Sequence, residues 1–206
     1  EYSSGEDGHL WKYDVEQNIY EVTISKDGNY FAAVTAAGSN SKLYFYETNY
    51  TDDDANPIQK WTYSWSENIK DVVISADGSY IVASSYNYVR VFQKGSSTPV
   101  IDISTTNNYD IAISGNGNYF ATCGNDYISF YSTSSSTPLW SYTHAVYGSG
   151  QGYECEYNRH GTALTISDDG NYVAIATQSN IDFRAFNAST GKSILAMYEA
   201  SSPYSV

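Results

Sequence analysis

The side chains best suited to recognition chemistry are aromatic or ionisable, and one stretch, residues 145–161, concentrates them. They are Tyr147, Tyr153, Glu154, Glu156, Tyr157, Arg159 and His160. Tyrosine suits binding because its ring buries apolar area while its hydroxyl stays available for hydrogen bonding. Glycines alternate along part of the stretch, but no strand-to-helix pattern follows them, which argues against a dinucleotide site. We predict a flexible loop that presents a face to a ligand or partner.

Catalytic motifs are absent from the sequence. It contains no nucleophile elbow, no His-Glu-x-x-His and no phosphate-binding loop, and its three histidines belong to no ligand or triad pattern. The acidic tip 52–54 has the alternating oxygens of a calcium loop, yet Pro57 replaces the glycine at its sixth place and no closing glutamate stands at the twelfth. We predict a protein that is not an enzyme and that binds neither a metal nor a cofactor.

The chain is acidic and poor in charge. Its 206 residues include 10 Lys+Arg and 23 Asp+Glu, which gives a net charge of −13. Nucleic acids and anionic membrane surfaces attract a positive face, so neither is predicted as a partner. No apolar run approaches the roughly 18 residues of a membrane helix, so membrane insertion of this segment is not predicted. Because the chain begins at Glu1, we expect any targeting segment to have been removed or to lie outside it.

A ten-residue block recurs four times and defines the elements that must position these residues. It occupies residues 21–30, 71–80, 110–119 and 163–172 and ends each time in Ile-Ser-x-Asp/Asn-Gly-x-Tyr. Alternating apolar residues predict a first strand, the Gly predicts a turn, and a second apolar strand follows the Tyr. A third strand carries one aromatic column, and prolines open most of the fourth strands. No stretch shows helical periodicity, so almost no helix is predicted.

Four-stranded units repeating at this period are typical of a β-propeller, whose blades bury their faces against one another. The chain resembles the degenerate WD-repeat-like propellers of archaeal and bacterial surface proteins, through its Ile-Ser-x-Asp-Gly-x-Tyr blocks and the segment Ser-Ser-Thr-Pro-Leu-Trp-Ser-Tyr at 135–142. Residues 187–192 more faintly resemble a quinoprotein-type blade. The Trp-Asp dipeptide and the structural His of true WD repeats are missing, so the resemblance implies architecture rather than activity.

We therefore predict an all-β propeller with four antiparallel blades and one orphan N-terminal strand. The predicted segments are the orphan strand 1–16, blade 1 at 17–66, blade 2 at 67–105, blade 3 at 106–144, an insertion at 145–161, blade 4 at 162–200 and a tail at 201–206. The orphan strand, with Leu10, Trp11 and Tyr13, matches the fourth strand of a blade. Three interpretations stay open: part of a larger ring, a small closed ring with an added edge strand, or a strand that pairs with another subunit.

Two cysteines and two glycosylation sequons favour an extracellular or cell-surface setting. Cys123 ends a predicted second strand and Cys155 lies in the insertion beside the same blade. A Cys123–Cys155 disulfide would close the loop between them and is predicted on that placement. Asn49 and Asn187 each begin an Asn-x-Ser/Thr acceptor pattern, and both fall in third-to-fourth connections.

Three functions are weighed on these observations. The first is a non-enzymatic extracellular propeller that binds a protein or glycan through its loop-rich face, or serves as a scaffold. The second is a structural subunit of a surface layer or filament, which self-associates into a polymer through the orphan strand. The third, a propeller enzyme of quinoprotein or lyase type, has only the fold resemblance in its favour, and a fold does not establish a function.

Overall fold

The fold is all-β. A computed structural model describes residues 15, 17–48, 57–124, 127–143, 163–177 and 182–197. These residues form four sheets, each of four antiparallel strands, and each sheet keeps the order of its strands along the chain. Apart from the strands, the described residues contain one short 3-10 turn, Gly38–Asn40. The prediction of an all-β chain of four-stranded, propeller-type blades with almost no helix is confirmed.

Each blade contributes four consecutive strands. Blade 1 contains β1 (Ile19–Ile24), β2 (Tyr30–Thr35), β3 (Ser41–Glu47) and β4 (Ile58–Trp65), and blade 2 contains β5 (Asp71–Ile74), β6 (Tyr80–Ser84), β7 (Tyr88–Gln93) and β8 (Ile101–Ser104). Blade 3 contains β9 (Asn108–Ile113), β10 (Tyr119–Gly124), β11 (Tyr127–Ser132) and β12 (Trp140–Thr143), and blade 4 contains β13 (Ala163–Ile166), β14 (Tyr172–Thr177), β15 (Asp182–Asn187) and β16 (Ser193–Met197). Neighbouring blades meet through their first strands, since β1 contacts β5, β5 contacts β9 and β9 contacts β13.

The repeated Ser-x-Asp/Asn-Gly-x-Tyr block is a turn built around its serine. In blade 1 the Ser25 hydroxyl donates to the Asp27 carboxylate at 2.6 Å and accepts the Tyr30 N–H at 2.9 Å. Gly28 has φ of +73°, a conformation that glycine adopts without the steric cost that other residues meet. The turn connects β1 to β2 over five residues. Ser25 is buried, so the repeated serine supports the turn.

First-to-second and third-to-fourth connections lie together on one face of the blades. The Thr48 N–H donates to the Asn29 carbonyl at 2.8 Å. The same contact recurs in blade 2, where the Lys94 N–H donates to the Ser79 carbonyl at 3.1 Å. Because these bonds tie the two turns of a blade together, each blade has a compact rim on this face.

The hydrophobic core lies between blades. Three clusters of buried apolar side chains fill the contacts of blade 1 with blade 2, blade 2 with blade 3, and blade 3 with blade 4. Phe92 of β7 is fully buried in the first cluster and Phe186 of β15 in the last. The strands of blades 2 and 3 therefore present one face to the preceding blade and the other to the following blade, which explains their apolar character.

The predicted orphan strand lies outside the described residues, apart from Val15. The described part of the chain contains no helix with the length and hydrophobicity that a bilayer crossing requires.

Candidate binding surfaces at the two ends of the blade series

Each contact between blades repeats one arrangement of a tyrosine on a glycine. A Cβ atom added to Gly78 of blade 2 would lie 2.4 Å from Cδ2 of Tyr30 in blade 1. The corresponding distances are 3.0 Å from Gly117 to Tyr80 and 2.5 Å from Gly170 to Tyr119. The first tyrosine of each second strand therefore covers the turn glycine of the next blade, at a separation that leaves no room for a side chain.

Tryptophans of the fourth strands secure two of these contacts. Trp61 Nε1 donates to the Lys94 carbonyl at 3.1 Å, and Trp140 Nε1 donates to the Ala188 carbonyl at 2.6 Å. Between blades 2 and 3 the equivalent residue is Ile101, which is 6% exposed. The repeated position therefore accepts either an indole that donates a hydrogen bond or a plain aliphatic side chain.

Blade 1 exposes the face that the other blades bury. On β1, Tyr20, Val22 and Ile24 point to the side on which a preceding blade would lie, and Val22 is 65% exposed and Ile24 61% exposed. The residues equivalent to Val22 in blades 2, 3 and 4 are buried, with exposures of 2% to 8%, and they are Val72, Ile111 and Leu164. We call Tyr20, Val22 and Ile24 the leading face. A shallow depression of about 480 Å³ lies beside it, lined by residues 19–22.

Blade 4 exposes the opposite surface, the one that would meet a following blade. Tyr172, which aligns with Tyr30, is 51% exposed, while Leu195, which aligns with Trp61, is 47% exposed. Met197 lies two residues beyond Leu195 on the same side and is 55% exposed. We call Tyr172, Leu195 and Met197 the trailing face. Gly28 of blade 1 has no described atom within 4 Å of an added Cβ, so Tyr172 does not cover it within one copy.

A column of carboxylates lies on the first strands. Asp71 Oδ2 accepts the Ile111 N–H at 3.0 Å, and Asp110 Oδ2 accepts the Leu164 N–H at 2.9 Å. Each carboxylate therefore bonds to the first strand of the next blade. Burial, reinforced by repulsion from Asp110 and Glu21, raises the pKa of Asp71 well above its usual value. Burial also raises the pKa of Asp110.

The carboxylate column serves the contacts between blades. The described residues contain no group of three or more His, Cys, Asp or Glu side chains placed to hold a metal ion. The carboxylates of the column accept hydrogen bonds from backbone N–H groups, and neighbouring acids can share a proton.

Most residues predicted as site residues from the sequence lie outside the described part of the chain. They are Leu10, Trp11, Tyr13, Asn49, Tyr147, Tyr153, Glu154, Cys155, Glu156, Tyr157, Arg159 and His160. Cys123 is fully buried in β10, and no free thiol occurs among the described residues, but the bond to Cys155 stays a prediction. Asn187 ends β15, where its Oδ1 accepts the Thr190 N–H at 3.1 Å.

Comparison with known proteins supports the fold and goes no further. No protein-family model matches the chain, and no curated protein matches it in sequence. Many solved structures match, among them Kuenenia stuttgartiensis hydrazine synthase, with a TM-score of 0.63 and 15% sequence identity. The match covers 93% of this chain and 52% of that one, so the chain spans about half the length of its solved relative. Together with the four sheets, this likeness fits propeller-type blades.

Proposed function

We propose that the protein is a non-enzymatic, extracellular or cell-surface scaffold of the WD-repeat-like propeller type, and that it binds a protein partner through an end of its blade series. The observation that carries the proposal is the leading face, because Val22 is 65% exposed whereas its three equivalents are buried. This difference in burial between repeats of the same sequence pattern supports a binding role.

Covering the leading face would release a large hydrophobic free energy. Fully burying an aliphatic side chain is worth roughly 1.5–3 kcal/mol, and both Val22 and Ile24 are more than half exposed. Contiguous apolar surface on a soluble protein usually marks an interaction site. A protein supplies the extended apolar partner surface that this face needs, which favours a protein over a glycan at this position.

The extracellular setting is supported by the Asn187-Ala188-Ser189 sequon on the turn rim of blade 4, where Ser189 is exposed. The chain also has few lysines and arginines, 10 in 206 residues. Asn49 and the Cys123–Cys155 disulfide are further predicted features of such a protein. Mass mapping of glycopeptides from the native protein tests this part of the proposal, and unmodified Asn49 and Asn187 would remove its support.

Photo-crosslinking tests whether the leading face binds a protein. A photoreactive phenylalanine analogue is placed at Val22 and, as the control, at Ser136, which is exposed in the third-to-fourth turn of blade 3. We expect irradiation of cells that produce the protein to give protein adducts at position 22 well above those at position 136. Equal adduct levels at the two positions would contradict the proposal.

A structural subunit of a surface layer or filament is the second candidate, and the exposure of both ends of the blade series favours it. A protein with one exposed end can be covered by a single partner. Two exposed ends of different shape allow copies to join head to tail in a series.

A further inference from the structure

We propose that the trailing face of one copy of this chain docks on the leading face of a second copy, so that blade 4 is followed by blade 1 of the neighbour. This inference rests on the proposed function, since it names the protein that covers the leading face. It follows from the three blade contacts inside the chain, which supply the template for a fourth.

The tyrosine-on-glycine arrangement supplies both halves of the missing contact. Tyr172 occupies the position of Tyr30, Tyr80 and Tyr119, and Gly28 occupies the position of the glycines that those tyrosines cover. Tyr172 is 51% exposed, and Gly28 has no described atom within 4 Å of an added Cβ. Docking places Tyr172 of one copy on Gly28 of the other. This is the contact that the chain already makes three times between its own blades.

The apolar residues of the two faces also match an existing contact. Leu195 aligns with Ile101, and Val22 aligns with Ile111, and in the contact of blade 2 with blade 3 Ile101 is 6% exposed and Ile111 2% exposed. Both belong to the same buried cluster. Leu195 and Val22 would therefore pack as an aliphatic pair of the kind that already joins two blades without a tryptophan.

Hydrogen bonds between turns also join each pair of neighbouring blades, and the acceptor is each time the carbonyl of the residue after the turn serine. The Asp27 N–H donates to the Ala76 carbonyl at 3.2 Å, the Ala76 N–H donates to the Gly115 carbonyl at 2.9 Å, and the Asn116 N–H donates to the Asp168 carbonyl at 2.9 Å. The equivalent acceptor in blade 1 is the Lys26 carbonyl, which accepts no hydrogen bond from a described residue. In the docked arrangement this carbonyl can accept a hydrogen bond from a backbone N–H in the turn around Asp168 of the neighbouring copy.

Charge at the turns is complementary as well. Lys26 and Asp168 are equivalent turn residues, and docking brings Lys26 of one copy beside Asp168 of the other. Within one copy the two side chains form an ion pair, and they are 70% and 71% exposed. An exposed pair contributes little to stability, so exchanging it for the same pair between copies costs little.

The described residues of two copies joined in this way form eight blades, and propellers typically contain about four to eight. A head-to-tail contact of this kind closes into a ring when its rotation permits and otherwise extends into a filament. Both assemblies use the same contact between the leading and trailing faces.

Analytical ultracentrifugation of the purified 206-residue chain tests the contact. We expect wild type to sediment as a dimer or larger assembly at micromolar concentration. Gly28→Asn should weaken association at least tenfold, because asparagine tolerates a positive φ but its side chain would collide with Tyr172 of the neighbour. Gly38→Asn is the matched control, since Gly38 also has a positive φ, +61°, and no described atom within 4 Å, yet lies on neither face.

Two further variants keep the test decisive if Gly28→Asn reduces folding. Val22→Asp and Tyr172→Ala change exposed side chains, so each should give a folded monomer of 22.8 kDa, verified by far-ultraviolet circular dichroism. A mixture of the two variants should contain dimers joined through the one intact pair of faces, because each supplies the face that the other lacks. Association of either variant alone with wild-type affinity would overturn the inference.

The outcomes separate the two proposals. A wild-type chain that stays monomeric at 100 µM overturns the docking of a second copy. If position 22 then still crosslinks to a different protein, only the identity of the partner is wrong and the scaffold proposal stands. If position 22 also gives no adducts above the Ser136 control, both proposals fall.

Discussion

Replacing Asp71 by asparagine should stabilise the protein relative to wild type, by an amount that increases as the pH rises. Asp71 accepts the Ile111 N–H at 3.0 Å, and the neighbouring Asp110 accepts the same N–H at 2.9 Å. Burial and repulsion from Asp110 and Glu21 raise the pKa of Asp71 well above its usual value. An asparagine can still accept the Ile111 N–H and can donate to Asp110, so the Asp71→Asn variant keeps the geometry without the charge.

The direction of the effect follows from proton binding. Because the pKa of Asp71 is higher in the folded state, the folded chain holds more protons, and the free energy of unfolding falls as the pH rises above about 4, the pKa of an unfolded aspartate. One proton corresponds to a slope of at most about 1.4 kcal/mol per pH unit. The variant lacks the contribution of residue 71 to this pH dependence, because asparagine does not ionise. Its free energy of unfolding, minus that of wild type, should therefore increase from about pH 4 until Asp71 is ionised in the folded protein.

Urea unfolding followed by tryptophan fluorescence, at half-unit steps from pH 4.5 to 8, measures this difference. Asp169→Asn is the control, because hydrogen bonds from the Ser167 hydroxyl and the Asn171 N–H lower the pKa of Asp169. An aspartate with a lowered pKa contributes stability that is lost only as the pH falls through its folded pKa, so this control should run parallel to wild type across the range. An Asp71→Asn curve that also runs parallel to wild type would refute the account of the carboxylate column.

Two other predictions concern the contacts between blades, and a third concerns the predicted disulfide. Trp140→Phe keeps an aromatic ring but leaves the Ala188 carbonyl without its 2.6 Å indole donor, and should cost about 1–3 kcal/mol in urea unfolding; an unchanged midpoint would contradict this. Arg90→Lys keeps the charge but loses the planar group that lies over three aromatic rings, so it should lower stability by about 1–2 kcal/mol, whereas equal thermal midpoints would show that the stacking contributes nothing. Peptide maps without reductant should contain a Cys123–Cys155 pair, and two free thiols would rule out the disulfide.

The repeated turns could be predicted from the sequence because their causes are local. A serine, an aspartate or asparagine, a glycine and a tyrosine lie within six residues and supply the hydrogen bonds that close the turn. Ser25, Asp27 and Tyr30 bond to one another, so the pattern that predicts the turn also describes its contacts. The four-stranded units follow from the same repetition, since each block begins a blade.

The exposed ends could not be predicted, because burial depends on the neighbouring blade. Val22 and Ile24 have the same residue types and spacing as Val72 and Ile74, yet Val22 is 65% exposed and Val72 only 2% exposed. The carboxylate column had a visible signal, since an acid begins three of the four repeated blocks. The role of these acids could not be predicted, because it depends on the contact between first strands that brings Asp71 beside Asp110.

Electron microscopy of the purified chain tests the central claim most directly, namely that the two end faces of the blade series are halves of one contact. We predict particles in which more than four blades follow one another face to face, as a ring of two copies or as a row of copies. Isolated particles of four blades, with both end faces uncovered at concentrations where the wild type should associate, would contradict the claim.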